Sequence, residues 1–463
     1  MKRIKYLFTL VVFSLFLVLS SCSDDFFDIN RNPNVPAEAT PDFVIPSAIA
    51  SSAFTIGGYY QALGGFWSQH YAQAPSASQW ATWESYNLTE TDFDRQWTSL
   101  YAGSLQDYEY IRTGTLKTEN WAYYSIATLM QAYTFEVLAD LYDQIPFSEA
   151  LQGAANLQPH YDQGQAVYEE LINRVTKAIS YDFNISTSVT PGSDDLIFNG
   201  NMDDWIKFGN TLKLKLMMRF VNVDPNKYKN DIIALLNENN FLDKDAMVTA
   251  YRNDQTGANP FYNTFFDRLK GNVVANTTLF AFLDENSDPR KGKLFKPSQT
   301  GSAYASVATG DYKNVTGTYQ NFSLPIITAT DPVYFFSQEE VLFLIAEAQQ
   351  RYGSAADAEN TFIQGIETSL VNLGLDADAV TYSYNGLQSI MEQKWVAATN
   401  KRAIESFFDF ARTGYPNFFM TSKTSGLQGD AKPKRLFFPQ SEQNRNPNTP
   451  KRVELTVPVW WAK

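Results

Sequence analysis

Along most of this chain, apolar positions recur at steps of three and four, the spacing of a helix that buries one face. Ile126, Met130, Tyr133, Val137 and Leu141 follow this spacing and predict a helix over 121–141; Val167, Leu171, Val175 and Ile179 predict another. Trp205, Phe208, Leu212, Leu216 and Phe220 form a third stripe. It starts at Asp203 and Asp204, whose carboxylates suit the positive end of a helix dipole, and Pro225 marks its stop. The clearest unit is 337–374. Ser337 through Glu340 reads as a capping box, with Val341, Leu344, Ile345 and Ala348 buried behind it. Gly353 is expected to supply a left-handed turn, and Ser354 starts a second helix with Phe362, Ile366 and Leu370 inward, closed by Gly374.

Two helices joined by one tight turn, with Ala346, Ala348, Ala355 and Ala356 at the close approach, resemble a tetratricopeptide-type hairpin. No second copy aligns in the sequence. Between the helical blocks, 57–92, 182–202, 243–278 and 296–336 read as long irregular stretches rich in Gly, Ser, Thr, Asn and aromatics. Loops of that length are usually functional. The segment 312–336 reads as holding short strands. The expected fold is all-α (mainly helical), a hairpin scaffold with long irregular loops and a few short strands.

The start of the chain bears on compartment. Met1 to Lys5 is basic, and Tyr6 to Leu19 is an apolar run broken by Thr9 and Ser14, too short to span a bilayer. The sole cysteine, Cys22, follows Leu19-Ser20-Ser21, which resembles a bacterial lipobox. Residues 1–21 are therefore expected to be a lipoprotein signal peptide, Cys22 the lipidation site, and 22–41 a tether with Pro33, Pro36 and Pro41. Residues 42–463 are expected to form one helical domain. Triacylation at one cysteine supplies enough acyl chain for stable anchoring.

Charge and composition narrow the function. The net charge of −13 becomes −16 once Lys2, Arg3 and Lys5 leave with the signal peptide. An acidic chain is unsuited to nucleic acid, which needs a basic face. The same charge disfavours acidic glycans such as uronates. One cysteine excludes an intramolecular disulfide, and two histidines, His70 and His160, leave little for His-based catalysis. Both read as surface or capping residues. The chain lacks a nucleophile elbow, a zinc-protease helix, a phosphate loop and a dinucleotide fingerprint. No enzyme activity, cofactor or metal is expected.

Four segments resemble the SusD/RagB family. Asp140 to Ala150 is similar to its "D-L-Y-G-x-I-P-Y-S-E-A" segment, and Glu339 to Glu347 to its "E-V-x-x-L-I-A-E-A" helix. Gln393-Lys-Trp395, Arg402 and Glu405 to Pro416 resemble "Q-K-W-I…E-x-W-x-D-x-R-R-T-G-Y-P", with Phe407-Phe408 in place of the Trp and Ala411 in place of the first Arg. Arg435 to Asn444, then Asn446 and Asn448, match the closing "R-L-x-Y-P-x-x-E…N". The resemblance implies a Bacteroidetes outer-membrane lipoprotein facing the cell exterior. It implies a lid on a TonB-dependent SusC-type barrel, capturing oligosaccharides or, in some members, peptides. The family's ligand residues vary, so none is carried over.

Aromatic residues make up 15% of the chain. Sugars are gripped by flat rings with amides and carboxylates at the rim. Four of the nine tryptophans fall between Trp67 and Trp97, and no Lys or Arg lies between Arg31 and Arg95. Trp80 and Trp83 are the first platform candidates, with Trp67, Tyr71 and Tyr86 beside them; Trp67 also reads as a core anchor. Tyr304, Tyr312 and Tyr319 in the later Gly/Ser/Thr-rich loop form a second group. Asp107, Glu109, Asp267, Arg268 and Arg290 read as surface or structural charges. The functional expectation is capture of an oligosaccharide and delivery to the barrel. The alternatives are peptide capture or a structural or adhesive surface role.

Overall fold

Helical periodicity becomes helix throughout the body of the computed structural model, which describes residues 39–462. The predicted signal peptide, Cys22 and most of the tether lie outside the described residues. Numbering only helices of seven residues or more, α1 is Pro41–Thr55, α2 Gln61–Trp67, α3 Gln106–Thr118 and α4 Trp121–Tyr142. Next come α5 Gly164–Ala178, α6 Met202–Met218, α7 Lys229–Glu238 and α8 Thr277–Glu285. The last are α9 Gln338–Tyr352, α10 Ala355–Asn372, α11 Leu387–Ala397 and α12 Ala403–Thr413. The fold is all-α, with short two-stranded antiparallel ribbons among the described residues.

Adjacent helices pair as hairpins: α3 with α4, α5 with α6, α9 with α10 and α11 with α12. The hairpin seen once in the sequence thus recurs in geometry. Helix α4 is central, buried from Ala122 to Tyr142 and packed by α3, α5 and α6. Asn201 caps α6 by accepting from the amides of Asp203 and Asp204, which places both carboxylates in the first turn as expected.

Several local expectations are corrected. The stretch 57–92 is not loop from its start: α1 runs through a π-helical segment, Ile56–Tyr60, directly into α2. The glycine pairs there read as loop signals but serve close packing. A Cβ on Gly64 would lie 2.3 Å from the Ile404 Cα, so the backbones of α2 and α12 are in contact. At the α9 start, Ser337 accepts from the Glu340 amide at 3.3 Å, but the Glu340 carboxylate turns to Arg402 at 3.0 Å instead of closing a capping box. Gly353 has φ −113°, so it is not left-handed, whereas Gly374 is, with φ +67°. Ala355 and Ala356 are exposed; the α9–α10 approach is made by Gly365, where a Cβ would meet the Phe343 ring at 2.7 Å.

The motif charges cluster in the interior. Lys215 Nζ lies 2.8 Å from Glu136 and 2.7 Å from Glu405; Arg219 Nη2 lies 2.9 Å from Asp140 and 3.0 Å from Glu405. Arg412 reaches Glu347 at 2.5 Å and Asp409 at 2.9 Å, and Lys394 reaches Asp409 at 2.8 Å. All are buried. Burial pushes the Glu347 carboxyl up, but Arg412 and Arg351 outweigh it and hold it at about 2. These residues, from α4, α6 and the turn after it, α9, α11 and α12, bind the hairpins into one scaffold. Arg290, read as structural, also behaves so: it is fully buried and pairs with Asp288 at 2.6 Å.

Two ribbons position the long loops. Strand Tyr71–Gln73 pairs with Val273–Ala275, in the register Ala72 opposite Val274. The segment after it holds the 297–323 loop, because Val307 N donates to Ala275 O at 3.0 Å and Ala275 N to Ser323 O at 2.9 Å. Ala72, Ala74, Val274, Val307 and Phe322 form a satellite core beneath that loop. Strands Leu324–Pro325 and Val333–Phe336 fall within the expected 312–336 window.

Candidate functional site

The aromatic-rich segment around residues 67–97 is core, not platform. Trp80 and Trp83 are each 4% exposed. Gln73 Oε1 accepts from the Trp80 amide at 2.8 Å, and the short helix Ala81–Glu84 turns both indoles inward. There Trp80 meets Phe265 at 4.5 Å and Trp83 meets Phe93 at 4.9 Å between ring centroids. Trp67 donates Nε1 to Trp83 O and packs edge-on to Phe407; Tyr71 donates its hydroxyl to Asn400; Tyr86 is buried beside Trp67. A ring whose faces are filled by other rings cannot stack on a sugar, so these five are corrected to core anchors.

His70 is also interior. It stacks on Trp395 with centroids 5.6 Å apart, and its Nε2–H donates to the Trp395 carbonyl at 3.0 Å. Burial pulls its pKa down to about 3, so the ring is neutral. His160 sits on the surface, 2.9 Å from the Glu149 carboxylate.

The later tyrosines differ among themselves: Tyr312 is buried, at 9% exposed, while Tyr304 and Tyr319 keep more surface. Tyr304 is 41% exposed, with the Lys291 ammonium 4.9 Å from its ring centroid. Tyr319 is half-buried, its ring against Gly271. Tyr312 lines an open cleft of about 470 Å³ with Ser76, Ala77, Ser78, Lys313, Val315, Thr316 and Gly317. The two loops singled out in the sequence therefore meet. Ser76 Oγ donates to Gly317 O at 2.8 Å, joining their rims. Two other cavities, of about 220 Å³ beside Lys293 and Lys401 and of about 330 Å³ beside Phe282 and Phe418, contain none of the predicted residues.

The cleft is held from beneath. Asn321 Oδ1 accepts from the Thr318 amide at 2.8 Å, fixing the turn that carries Tyr319. Lys423 pairs with Asp311 at 2.7 Å and donates its amide to Thr309 O. Glu84, fully buried, accepts from the Gln73 amide at 3.2 Å and lies beside the Gly310 amide. Burial raises its pKa to about 8 against the pull of those two amides, with nearby Asp311 adding to the rise, so the carboxyl is mostly neutral at pH 7. What faces the cleft is hydroxyls, amides, a tyrosine edge and one ammonium. Such a surface offers hydrogen bonds and an apolar contact but no nucleophile–base pair. Sequence reasoning missed Ser76, Ser78, Lys313 and Gly317; the Ser/Gly/Thr bias of both loops was the available signal.

Among the described residues no helix is long and apolar enough to cross a membrane. The family model described as "Starch-binding associating with outer membrane", SusD-like, matches residues 33–439. Among solved structures, a SusD homolog from Bacteroides uniformis superposes with a TM-score of 0.77 at 22% identity, covering 91% of this chain and 99% of the other. A SusD/RagB family protein from Bacteroides thetaiotaomicron gives 0.75 at 21% identity, covering 92% and 99%. A structure titled as a chitin-binding protein gives 0.75 at 21%, covering 92% and 100%. Among curated proteins none matches the sequence. With the family model spanning most of the chain, and its motif charges forming the buried network that joins the hairpins, the chain belongs to the SusD-like family of nutrient-binding, outer-membrane-associated proteins.

Proposed function

We propose that this protein is a surface lipoprotein, anchored through Cys22, that captures an oligosaccharide in the cleft between Ser76–Ser78 and Tyr312–Gly317. It would hand the ligand to a TonB-dependent SusC-type barrel. The observation that carries the reading is the convergence of both predicted ligand loops on one open, hydroxyl-lined cleft. An open groove suits a chain longer than the contact, and hydroxyl and amide groups suit sugar hydroxyls. The family description and the chitin-binding neighbour support a glycan as the cargo.

The test is titration of the mature protein with a panel of oligosaccharides and, in parallel, of peptides. Tyr312→Ala should weaken glycan binding about fivefold, the scale of one ring contact. Binding of peptides alone would move the protein to the peptide-capturing alternative. Cys22→Ala should abolish acyl labelling and membrane retention, and co-purification with a barrel tests the partner.

A further inference from the structure

The chain carries a net charge of −13, yet no acid lines the cleft. The lining of the cleft contains one charged side chain, Lys313, exposed and with its ammonium 5.6 Å from the Tyr312 ring centroid. Among the described residues Lys313 makes no ion pair, whereas the one acid in the same turn, Asp311, is taken up by Lys423 and Asn314. The buried Glu84 does not line the cleft.

The 268–272 segment packs against residues next to the two loops: Tyr319 packs on Gly271, and Asn272 Oδ1 accepts from the Gln79 amide at 3.2 Å. It exposes Arg268 and Lys270, neither of them ion-paired among the described residues, against a single exposed acid, Asp267. The whole-chain charge, which spoke against acidic glycans, is screened within about 10 Å at ordinary ionic strength, so the local sign decides what is held in the cleft.

We propose that the cleft selects oligosaccharides bearing a negative group, a carboxylate or a sulfate, with Lys313 as the group that meets it. This rests on the glycan-capture reading above and names the ligand class within it. Lys313 then sets selectivity by placing an ammonium where a neutral sugar offers only hydroxyls.

The experiment compares oligogalacturonate, a sulfated oligosaccharide and a neutral oligosaccharide of equal length on wild type and on Lys313→Gln. The wild type should prefer at least one acidic oligomer over the neutral one by about fivefold, the scale of one partly exposed charge pair. Raising the salt about tenfold should shrink that preference. In Lys313→Gln the acidic-to-neutral ratio should fall close to one, and Lys313→Arg should restore it. The two acidic arms distinguish carboxylate from sulfate. A wild-type ratio at or below one, or a ratio unchanged in Lys313→Gln, overturns the proposal while leaving glycan capture standing. Failure of every oligosaccharide to bind the wild type overturns both.

Discussion

Glu84, buried beside Gln73 and Gly310, makes the stability of the protein sensitive to pH, and the size of the effect follows from its burial. Its pKa moves from 4.5 to about 8 because desolvation outweighs the amides of Gln73 and Gly310. Between those two pH values the folded protein keeps the proton and the unfolded chain has lost it. The unfolded state then binds fewer protons, so stability falls as pH rises. Below about pH 4.5 both states are protonated and the group contributes nothing. At pH 7 the gap is about 2.5 units, or roughly 3 kcal/mol at 1.36 kcal/mol per unit. Glu84→Gln has the same shape and no proton to lose. It should match wild type near pH 4 and exceed it by about 3 kcal/mol at pH 7, about 3 °C in melting temperature for a body of this size. Urea unfolding followed by tryptophan fluorescence across about pH 4 to 8 reads this directly. A gap that does not change with pH would show that the carboxyl is ionised in the fold and refute the reasoning.

Arg412→Met leaves Glu347 and Asp409 buried without their shared cation, and should cost about 3–5 kcal/mol by denaturant unfolding. Gly64→Ala drives a methyl into the Ile404 backbone, which cannot yield as a side chain tip would, and should cost about 3 kcal/mol or more by the same assay. His70 acts with the opposite sign to Glu84. Held at about 3 by burial, it stays neutral while the unfolded ring, near 6.5, takes up a proton. Stability is therefore lost as pH falls from about 6.5 towards 3, and His70→Gln should flatten that acid limb.

The sequence made the helices legible because their stripes repeat at a fixed period, as in Trp205 to Phe220 and in α9–α10. It did not make the tryptophans legible. Trp80 and Trp83 sit in a stretch with no period, and their burial depends on Phe265, far away in the chain. Nor could spacing tell a turn glycine from Gly64, whose neighbour is Ile404. The charged motif residues were readable as family signatures, but charged side chains ordinarily signal surface, and only the packing places Lys394, Arg402, Glu405, Asp409 and Arg412 inside. At the cleft, the loop around Tyr312 was anticipated, while the partnership of that loop with Ser76–Ser78 arises from the ribbon joining Tyr71–Gln73 to Val273–Ala275.

The most direct measurement is a crystal structure of the mature protein soaked with the tightest-binding oligosaccharide of the panel. The sugar should lie between Ser76–Ser78 and Tyr312–Gly317, with Lys313 within hydrogen-bonding reach. Sugar density in the recess beside Phe282 and Phe418 instead, with that cleft empty, would contradict the account.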